Sequence, residues 1–185
     1  MCGLAGFSLI PSARTPVGWD KQACDALSHR GPDDRGTFED LEQGISLIHT
    51  RLSILDLSHM GHQPIISADN NVALVFNGEI YNYKEIKREL IHLGEKFFST
   101  SDSEVLLIGY RRFGLKNLIS KIRGMYAFVI WDENKKIAIA ARDKFGIKPL
   151  YYTENNNYFS CASECNALIK AELVSKEISK EGLDS

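Results

Sequence analysis

Short apolar runs separated by polar turns recur along the chain and indicate β-strands. Three runs rich in strand-forming residues predict strands at Gly3–Leu9, 45–49 and 72–76, the last continuing toward 79–81. Two later pairs of runs flank polar turns, which is the pattern of β-hairpins. These hairpins join 124–131 to 136–141 and 151–153 to Tyr158–Ala162.

Helical patterns are interleaved with these strands. The predicted helices cover 20–29, 83–93, 103–113, 115–121 and 163–170. Asn82 is a suitable N-cap for the second of them, and Gly94 is placed to end it. Asp102 or a neighbouring serine is expected to cap the third.

The order of the elements predicts the fold class. Strands come first, then helices, then further hairpins, which favours an α+β fold with antiparallel sheets over alternating βαβ units. The 185 residues, with 44% hydrophobic and 25% charged, suit one domain with a substantial core. Two stretches rich in Gly, Pro and His, 30–36 and 56–64, are expected to be long functional loops.

Composition also limits the partners. The net charge is −2 and no long basic run occurs, so nucleic acid is not an expected partner. The apolar runs are too short to cross a bilayer and the first ten residues lack the features of a secretory signal. No membrane association is therefore expected, and a cytoplasmic location follows as the default.

Four cysteines are expected to be reduced thiols in that setting. Cys161 and Cys165 have the spacing of a metal-binding pair, but no second Cys or His cluster lies nearby in the sequence. We therefore expect no metal site, and we expect both residues to be buried or half-buried structural thiols.

Cys2 is the strongest candidate for chemistry. Removal of Met1 is favoured by a small second residue and would leave a thiol and a free α-amine on one residue. Such an amine has a pKa close to neutral pH, so it can act as the base that generates a thiolate without any histidine. Gly3 allows the backbone to turn tightly beside it. Taken alone, a cysteine at position 2 is most often chance.

Further motifs follow in order. They are HRGPD at 29–33, HTRLSILD at 49–56, GHQP at 61–64, FNGEIYN at 76–82, TSDSE at 100–104, ARD at 141–143 and GIKPLY at 146–151. Together with Cys2 they resemble the N-terminal glutaminase domain of the glutamine-hydrolysing asparagine synthetase family. That domain is a class II glutamine amidotransferase of the N-terminal-nucleophile hydrolase superfamily. The resemblance extends from Cys2 to about Ala167.

The resemblance implies a four-layer αββα sandwich with antiparallel sheets, and a set of site residues. Cys2 is the implied nucleophile, and Asn77 and Gly78 are the implied oxyanion hole. Arg51 is implied to hold the α-carboxylate of glutamine, and Asp102, helped by Glu79, its α-ammonium. For the Asn-Gly pair the other interpretation is a type I′ hairpin turn; for Asp102 it is a plain helix cap; for Arg51 it is a surface ion pair.

Other motif residues have supporting interpretations. Arg30 and Asp33 are expected to form an ion pair over Cys2, and Arg142 and Asp143 to do the same beneath the site. His29, His49 and His62 belong to the motifs, but no acid–base role is assigned to them because the α-amine supplies one.

The family resemblance also implies what lies outside the domain. Residues 1–185 are expected to be one glutaminase domain, truncated from a longer synthetase and needing no cofactor of its own. A C-terminal synthetase domain with ATP and Mg²⁺ would use the ammonia to amidate a carboxylate, aspartate above others. A homodimer is left open. Two alternatives are an amidotransferase of the sugar-phosphate or phosphoribosyl branch, and a glutamine-binding module without activity.

Overall fold

The computed structural model describes residues 1–9, 18–53 and 61–177. Its strands are β1 (Gly3–Leu9), β2 (Asp34–Asp40), β3 (Ile45–Arg51), β4 (Ile65–Ile66), β5 (Val72–Ile80), β6 (Gly124–Asp132), β7 (Ile137–Arg142), β8 (Tyr151–Glu154) and β9 (Tyr158–Ala162). Its helices are α1 (Trp19–Leu27), α2 (Tyr83–His92), α3 (Asp102–Lys121) and α4 (Cys165–Lys170). Every strand predicted from the apolar runs is present, and several extend beyond the predicted bounds.

Two antiparallel sheets are formed. The first has the order β2-β3-β1-β9-β8 and the second the order β4-β5-β6-β7. Side chains alternate between the two faces of a strand, and β1 illustrates the result. Leu4 lies in the core between the sheets, whereas Ala5 and Phe7 lie in the core that faces α1 and α4. The sheets therefore pack face to face through one side of each.

Helices cover both outer faces. α1 and α4 pack against the first sheet through a core that includes Trp19, Leu27 and Leu168. α2 and α3 pack against the second sheet through Leu90, Leu106 and other apolar residues. With the inter-sheet core between them, these layers form the four-layer αββα sandwich, so the predicted α+β class and layer order are confirmed.

Strand β2 was missed by the sequence interpretation. The stretch 30–36 was expected to be a loop throughout, but β2 begins at Asp34 and pairs with β3 along its whole length. Its side chains are only exposed or half-buried because it lies at the edge of the sheet. A polar, Gly-containing edge strand carries little hydrophobic signal. The short β4 was missed as well; of the second expected loop, residues 56–60 lie outside the described residues.

The N-termini of α2 and α3 test the predicted helix caps. Asn82 occupies the N-cap position of α2, as predicted, but its side chain makes no capping bond, because it donates to the carbonyl of Lys121 and accepts from the amide of Arg123. Ser101 caps α3 by accepting from the Glu104 amide at 3.3 Å. Gly114, with φ 74°, breaks α3 where two separate helices were predicted.

Candidate functional site

Cys2 lies immediately before β1, where the first sheet begins. Its half-buried Sγ accepts from the Leu52 amide at 3.4 Å and lies 3.6 Å from the Leu52 carbonyl oxygen. A Cβ on the next residue, Gly3, would stand 2.6 Å from Oγ1 of Thr50. The missing side chain therefore lets the chain pass close to the end of β3, which places the thiol beside Leu52.

Arg30 fixes the backbone of Cys2. Its Nε donates to the Cys2 carbonyl at 3.0 Å, and its Nη1 donates to Glu164 at the same distance. The predicted ion pair with Asp33 is wrong, since Asp33 instead accepts from the Ser53 amide at 2.8 Å. Burial would raise the pKa of Glu164, but the hydrogen bonds from Arg30 and His29 hold it below its usual value. Arg30 is thus an anchor for the first residues.

A cavity opens beside the thiol. Five of the six candidate site residues line it: Cys2, Arg51, Gly78, Glu79 and Asp102. The other lining residues are Leu52, Gly61, Gln63, Phe76, Ser101 and Ser103. The cavity therefore combines a thiol, one guanidinium and two carboxylates, which is the charge arrangement that an α-amino acid requires.

Arg51 stands at the end of β3 and is only 9% exposed. The backbone of Gly61 passes directly against it, and a Cβ on Gly61 would lie 2.1 Å from the guanidinium Nη2. Leu47 lies four residues earlier on the same strand and faces the space between the sheets. Because side chains alternate along a strand, Arg51 projects to the same side. Arg51 is a lining cation of the cavity, and the interpretation as a surface ion pair does not fit this burial.

Asp102 occupies the first turn of α3. One of its oxygens accepts from the amide of Ile80 at 2.9 Å. Burial raises the pKa of this carboxyl, with Glu79 adding to the rise, while the Ile80 amide and other backbone donors oppose it. Because Ser101 accepts the capping bond from Glu104, Asp102 is not the helix cap, and it lines the cavity.

Asn77 and Gly78 lie inside β5, paired with Ala127 and Tyr126 of β6. The alternative of a hairpin turn is therefore wrong. Ala73 and Val75 face the inter-sheet core, so Asn77 projects to that side as well. It is 1% exposed, and its Nδ2 finds no hydrogen-bond partner within the described part of the chain. A buried donor of this kind is rare and calls for an explanation.

The edge of β5 points the amide of Gly78 toward the cavity. Backbone amides of alternate residues in a strand point to the same side. On this side the amide of Phe76 is bound by Gln63, and that of Ile80 by Asp102. Gly78 lies between them and lines the cavity. The backbone donor at Gly78 therefore adjoins the space beside Cys2. Asn77, the sixth candidate, is not among the residues that line the cavity, but it lies between two that are, Phe76 and Gly78.

Asp143 supports the neighbouring strand and not an ion pair. Its carboxylate accepts from the backbone amides of Tyr126, Phe145, Ile147 and Lys148. Burial would raise the pKa of this carboxyl, but these donors hold it below its usual value. The expected pair with Arg142 is absent from the ion pairs of the described residues. Asp143 fixes β6 next to Gly78.

His49 and Gln63 are the residues whose roles the sequence did not suggest. Both bind the peptide groups of Phe76, Gln63 through its Oε1 at 2.7 Å and His49 through its Nε2 at 3.1 Å. Burial lowers the pKa of His49 to about 4, so the ring is neutral near pH 7. Their presence in the HTRLSILD and GHQP motifs was the only available signal.

His49 makes stability depend on pH. Its unfolded pKa is 6.5 and its folded pKa is about 4. Between these values the unfolded chain binds more protons, so stability is full above pH 6.5 and decreases as the pH falls toward 4. The loss reaches about 2 to 3 kcal/mol. The free energy of unfolding, measured with urea at pH 7 and at pH 4.5, should decrease less in His49→Gln than in the wild type, by this amount. Equal decreases in the two proteins would contradict the role of His49.

The other histidines and cysteines lie in ordinary contacts. His29 binds Glu164 at 2.9 Å and His62 binds Asp34 at 2.7 Å. Cys161 is buried, as expected, and Cys24 is buried as well, but Cys165 is exposed, contrary to the prediction. Cys161 lies in the core between the sheets, where burial raises the pKa of its thiol to about 12. All four thiols are free.

The described residues contain neither a candidate metal site nor a helix suited to crossing a membrane. No group of His, Cys, Asp or Glu in residues 1–9, 18–53 and 61–177 is arranged to hold a metal ion. In the same ranges no helix has the length and apolar character needed to cross a membrane.

Comparison with known proteins points to one family. A family model described as a glutamine amidotransferase domain matches residues 1–185. Asparagine synthetase [glutamine-hydrolyzing] 1 of Bacillus subtilis is 44% identical over 99% of the chain, which corresponds to 29% of that protein. Amidase chry2 of Gibberella zeae is 41% identical over 91% of the chain and 26% of its own length. The chain thus spans less than a third of these relatives.

A solved structure with the same fold is more distant in sequence. The glutamine phosphoribosylpyrophosphate amidotransferase of Bacillus subtilis, in complex with ADP and GMP, matches with a TM-score of 0.73. The match covers 92% of this chain and 44% of the other at 24% identity. At that identity the likeness concerns the fold alone, a sandwich of two antiparallel sheets between layers of helices.

Proposed function

Since the chain belongs to the glutamine amidotransferase domain family, we propose that it hydrolyses glutamine to glutamate and ammonia with Cys2 as the nucleophile. The family match covers the whole chain. The observation that carries the proposal is the cavity lined by the Cys2 thiol, Arg51, Gly78 and Asp102, together with the buried Nδ2 of the adjacent Asn77, which has no partner among the described residues. A carbonyl oxygen that becomes negative would supply the partner that this amide lacks.

The first half of the reaction forms a thioester. With Met1 removed, the α-amine of Cys2 takes the thiol proton, and the sulfur attacks the side-chain carbonyl carbon of glutamine. The oxygen then carries a negative charge, which the Asn77 Nδ2 and the Gly78 amide stabilise. The C–N bond breaks, and the α-amine returns the proton to the leaving ammonia.

The second half releases glutamate. A water molecule gives a proton to the α-amine and attacks the thioester carbonyl, again with its oxygen on the Asn77 and Gly78 donors. The C–S bond breaks, the α-ammonium returns its proton to the sulfur, and the new γ-carboxyl group of glutamate loses its remaining proton to solvent. The cycle needs no metal or redox partner, because nucleophile and base belong to one residue.

Substrate recognition rests on charge. Arg51 binds the α-carboxylate through a planar, two-pronged guanidinium, and Asp102 with Glu79 binds the α-ammonium. Both ends of the amino acid are then fixed, and the side-chain amide reaches the sulfur only at the length of glutamine. Asparagine, one methylene shorter, places its amide too far from Cys2.

The test is a substrate comparison. Protein that begins with Cys2 should release glutamate and ammonia from L-glutamine and much less product from L-asparagine. Arg51→Lys should raise KM for glutamine about tenfold to hundredfold with a smaller change in kcat, because lysine loses the two-pronged bond. Absence of glutamate release from folded, processed wild-type protein would overturn the proposal and favour a non-catalytic glutamine-binding module.

We also propose that the domain is the N-terminal part of a longer synthetase. Its released ammonia would reach a C-terminal region that uses ATP and Mg²⁺ to amidate a carboxylate, aspartate in our proposal. The name of the Bacillus subtilis relative, Asparagine synthetase [glutamine-hydrolyzing] 1, and its greater length support this step. Formation of asparagine from glutamine, aspartate and ATP by protein carrying both regions checks it, and amidation of another acid instead would overturn the choice of aspartate.

The phosphoribosyl and sugar-phosphate branches are less favoured. The phosphoribosylpyrophosphate enzyme shares the fold at 24% identity, whereas relatives at 41 to 44% identity are named asparagine synthetase and amidase.

A further inference from the structure

Strand β5 has an open edge at the candidate site. The two residues of β4 pair with Leu74 and Ala73 only, so within the described part of the chain no strand covers the edge beyond them. Peptide groups at an uncovered edge must bind side chains or water. The N–H and the C=O of Phe76 both point outward from this edge, and Phe76 comes immediately before Asn77 and Gly78 in the strand. The geometry of the proposed oxyanion donors therefore depends on how Phe76 is held.

Two buried side chains take the place of the missing strand. Gln63 Oε1 accepts from the Phe76 amide at 2.7 Å, and Nε2 of His49 donates to the Phe76 carbonyl at 3.1 Å. They come from opposite directions, Gln63 from the segment before β4 and His49 from β3 of the other sheet. We propose that His49 and Gln63 are positioning residues that hold Asn77 and Gly78 in the geometry needed for oxyanion stabilisation.

The chemistry of His49 fits this task. The ring must carry its proton on Nε2 to donate to a carbonyl, and its burial keeps it neutral, so the bond is permanent near pH 7. Its Nδ1 is buried without a partner in the described part of the chain. An apolar side chain of similar size would pack here without burying an unpaired nitrogen, so packing alone does not explain a histidine at this position. The proposal rests on the proposed function, because positioning has meaning only for a working oxyanion hole.

The far side of the pair is held in a matching way. The amide of Ile80, two residues after Gly78, is bound by Asp102 at 2.9 Å. The peptide of Gly78 is thus anchored on both sides along one edge. Because Asp102 also lines the cavity, its replacement would affect binding as well as positioning. His49 does not line the cavity, so it is the cleaner position for a test.

The experiment compares two replacements of His49. His49→Leu removes the donor, and His49→Gln keeps an amide nitrogen near the position of Nε2. Glutamine hydrolysis by His49→Leu should lose about tenfold to hundredfold in kcat, less than removal of an oxyanion donor itself, with KM changed less than about threefold. His49→Gln should recover kcat to within about threefold of wild type.

Two inhibitors separate positioning from general loosening. The γ-aldehyde of glutamate forms a tetrahedral adduct with Cys2, so its affinity should decrease in His49→Leu by the same factor as kcat. The product glutamate is held mainly by its charged α-groups through Arg51, Glu79 and Asp102 and forms no tetrahedral oxyanion, so its inhibition constant should change less than about threefold. Equal losses for aldehyde and glutamate would overturn the positioning role, as would a wild-type kcat in folded His49→Leu.

Gln63→Met provides the second variant. It removes the acceptor at similar size and should lower kcat in the same range, and the double variant should lose less than the product of the two single effects, because both act on one peptide. Because Gln63 also lines the cavity, its effect on kcat and on aldehyde affinity is compared with the inhibition constant of glutamate, which controls for binding. If His49→Leu does not fold, Gln63→Met decides, and a wild-type kcat there, or equal losses for the aldehyde and glutamate, overturns the proposal. Wild-type protein without glutaminase activity would instead overturn the proposed function and the positioning role with it.

Discussion

Replacement of Cys2 by alanine is expected to lower glutamine hydrolysis by about 10⁴-fold or more, the scale of losses seen when a catalytic nucleophile is removed. The oxyanion donors and Arg51 would still bind substrate, so KM for any residual reaction and the affinity for glutamate should stay near wild type. The measurement is glutamate release by protein with a processed N-terminus, combined with titration of glutamate binding.

The chain offers a matched control for this replacement. Cys165 is exposed and does not line the cavity, so Cys165→Ser should hydrolyse glutamine at the wild-type rate. Acid quenching during turnover should trap a γ-glutamyl adduct on the peptide that contains Cys2, and this adduct should be missing from Cys2→Ala. Robust hydrolysis by Cys2→Ala, or an adduct on another cysteine, would refute the mechanism.

The sequence predicted the parts of the fold that carry a hydrophobic signal. β5 and β6 are nearly continuous apolar runs because both faces are covered, one by the other sheet and one by helices. β2 was not predicted, because it lies at a sheet edge and buries no side chain fully. The local signal of a strand follows its burial, so edge strands are the ones that a single sequence hides.

The site was predicted in its residues but not in its internal bonds. The motifs named Arg51, Asn77 and Asp102, and the structure brings these motifs together around Cys2. The pairings of Arg30 and Asp143 were wrong because neighbours in sequence were assumed to be partners in space. Arg30 in fact binds Glu164, 134 residues away. Partners at such distances depend on how the sheets stack, and no local pattern contains that information.

The two halves of the site are held by different means. Cys2 is fixed by Arg30 and by Leu52, both of which act on atoms that are present whether or not Met1 remains. Asn77 and Gly78 are fixed by the strand and its open edge. The proposed nucleophile and the proposed oxyanion donors are therefore held by contacts that do not depend on N-terminal processing, and in the proposed mechanism the step that processing changes is the proton transfer.

Protein that retains Met1 is accordingly expected to hydrolyse glutamine about 10² to 10⁴ times more slowly than protein that begins with Cys2. In the retained form the nitrogen of Cys2 belongs to a peptide bond and cannot accept the thiol proton, and loss of a general base has effects of this size. Met1 is 56% exposed, with its sulfur 3.6 Å from Nζ of Lys148, so nothing in its described surroundings encloses it against removal.

A cleavable leader isolates the effect. A chain with a protease recognition sequence directly before Cys2 should be nearly inactive. Cleavage that exposes Cys2 should raise kcat to that of naturally processed protein, and the increase should be proportional to the fraction of chains that begin with Cys2, measured by mass spectrometry. Cys2→Ala with the same leader should stay inactive after cleavage. Because Arg30 and Leu52 hold Cys2 in both forms, the gain on cleavage reports the free amine. Full activity of the uncleaved chain would show that another group serves as the base.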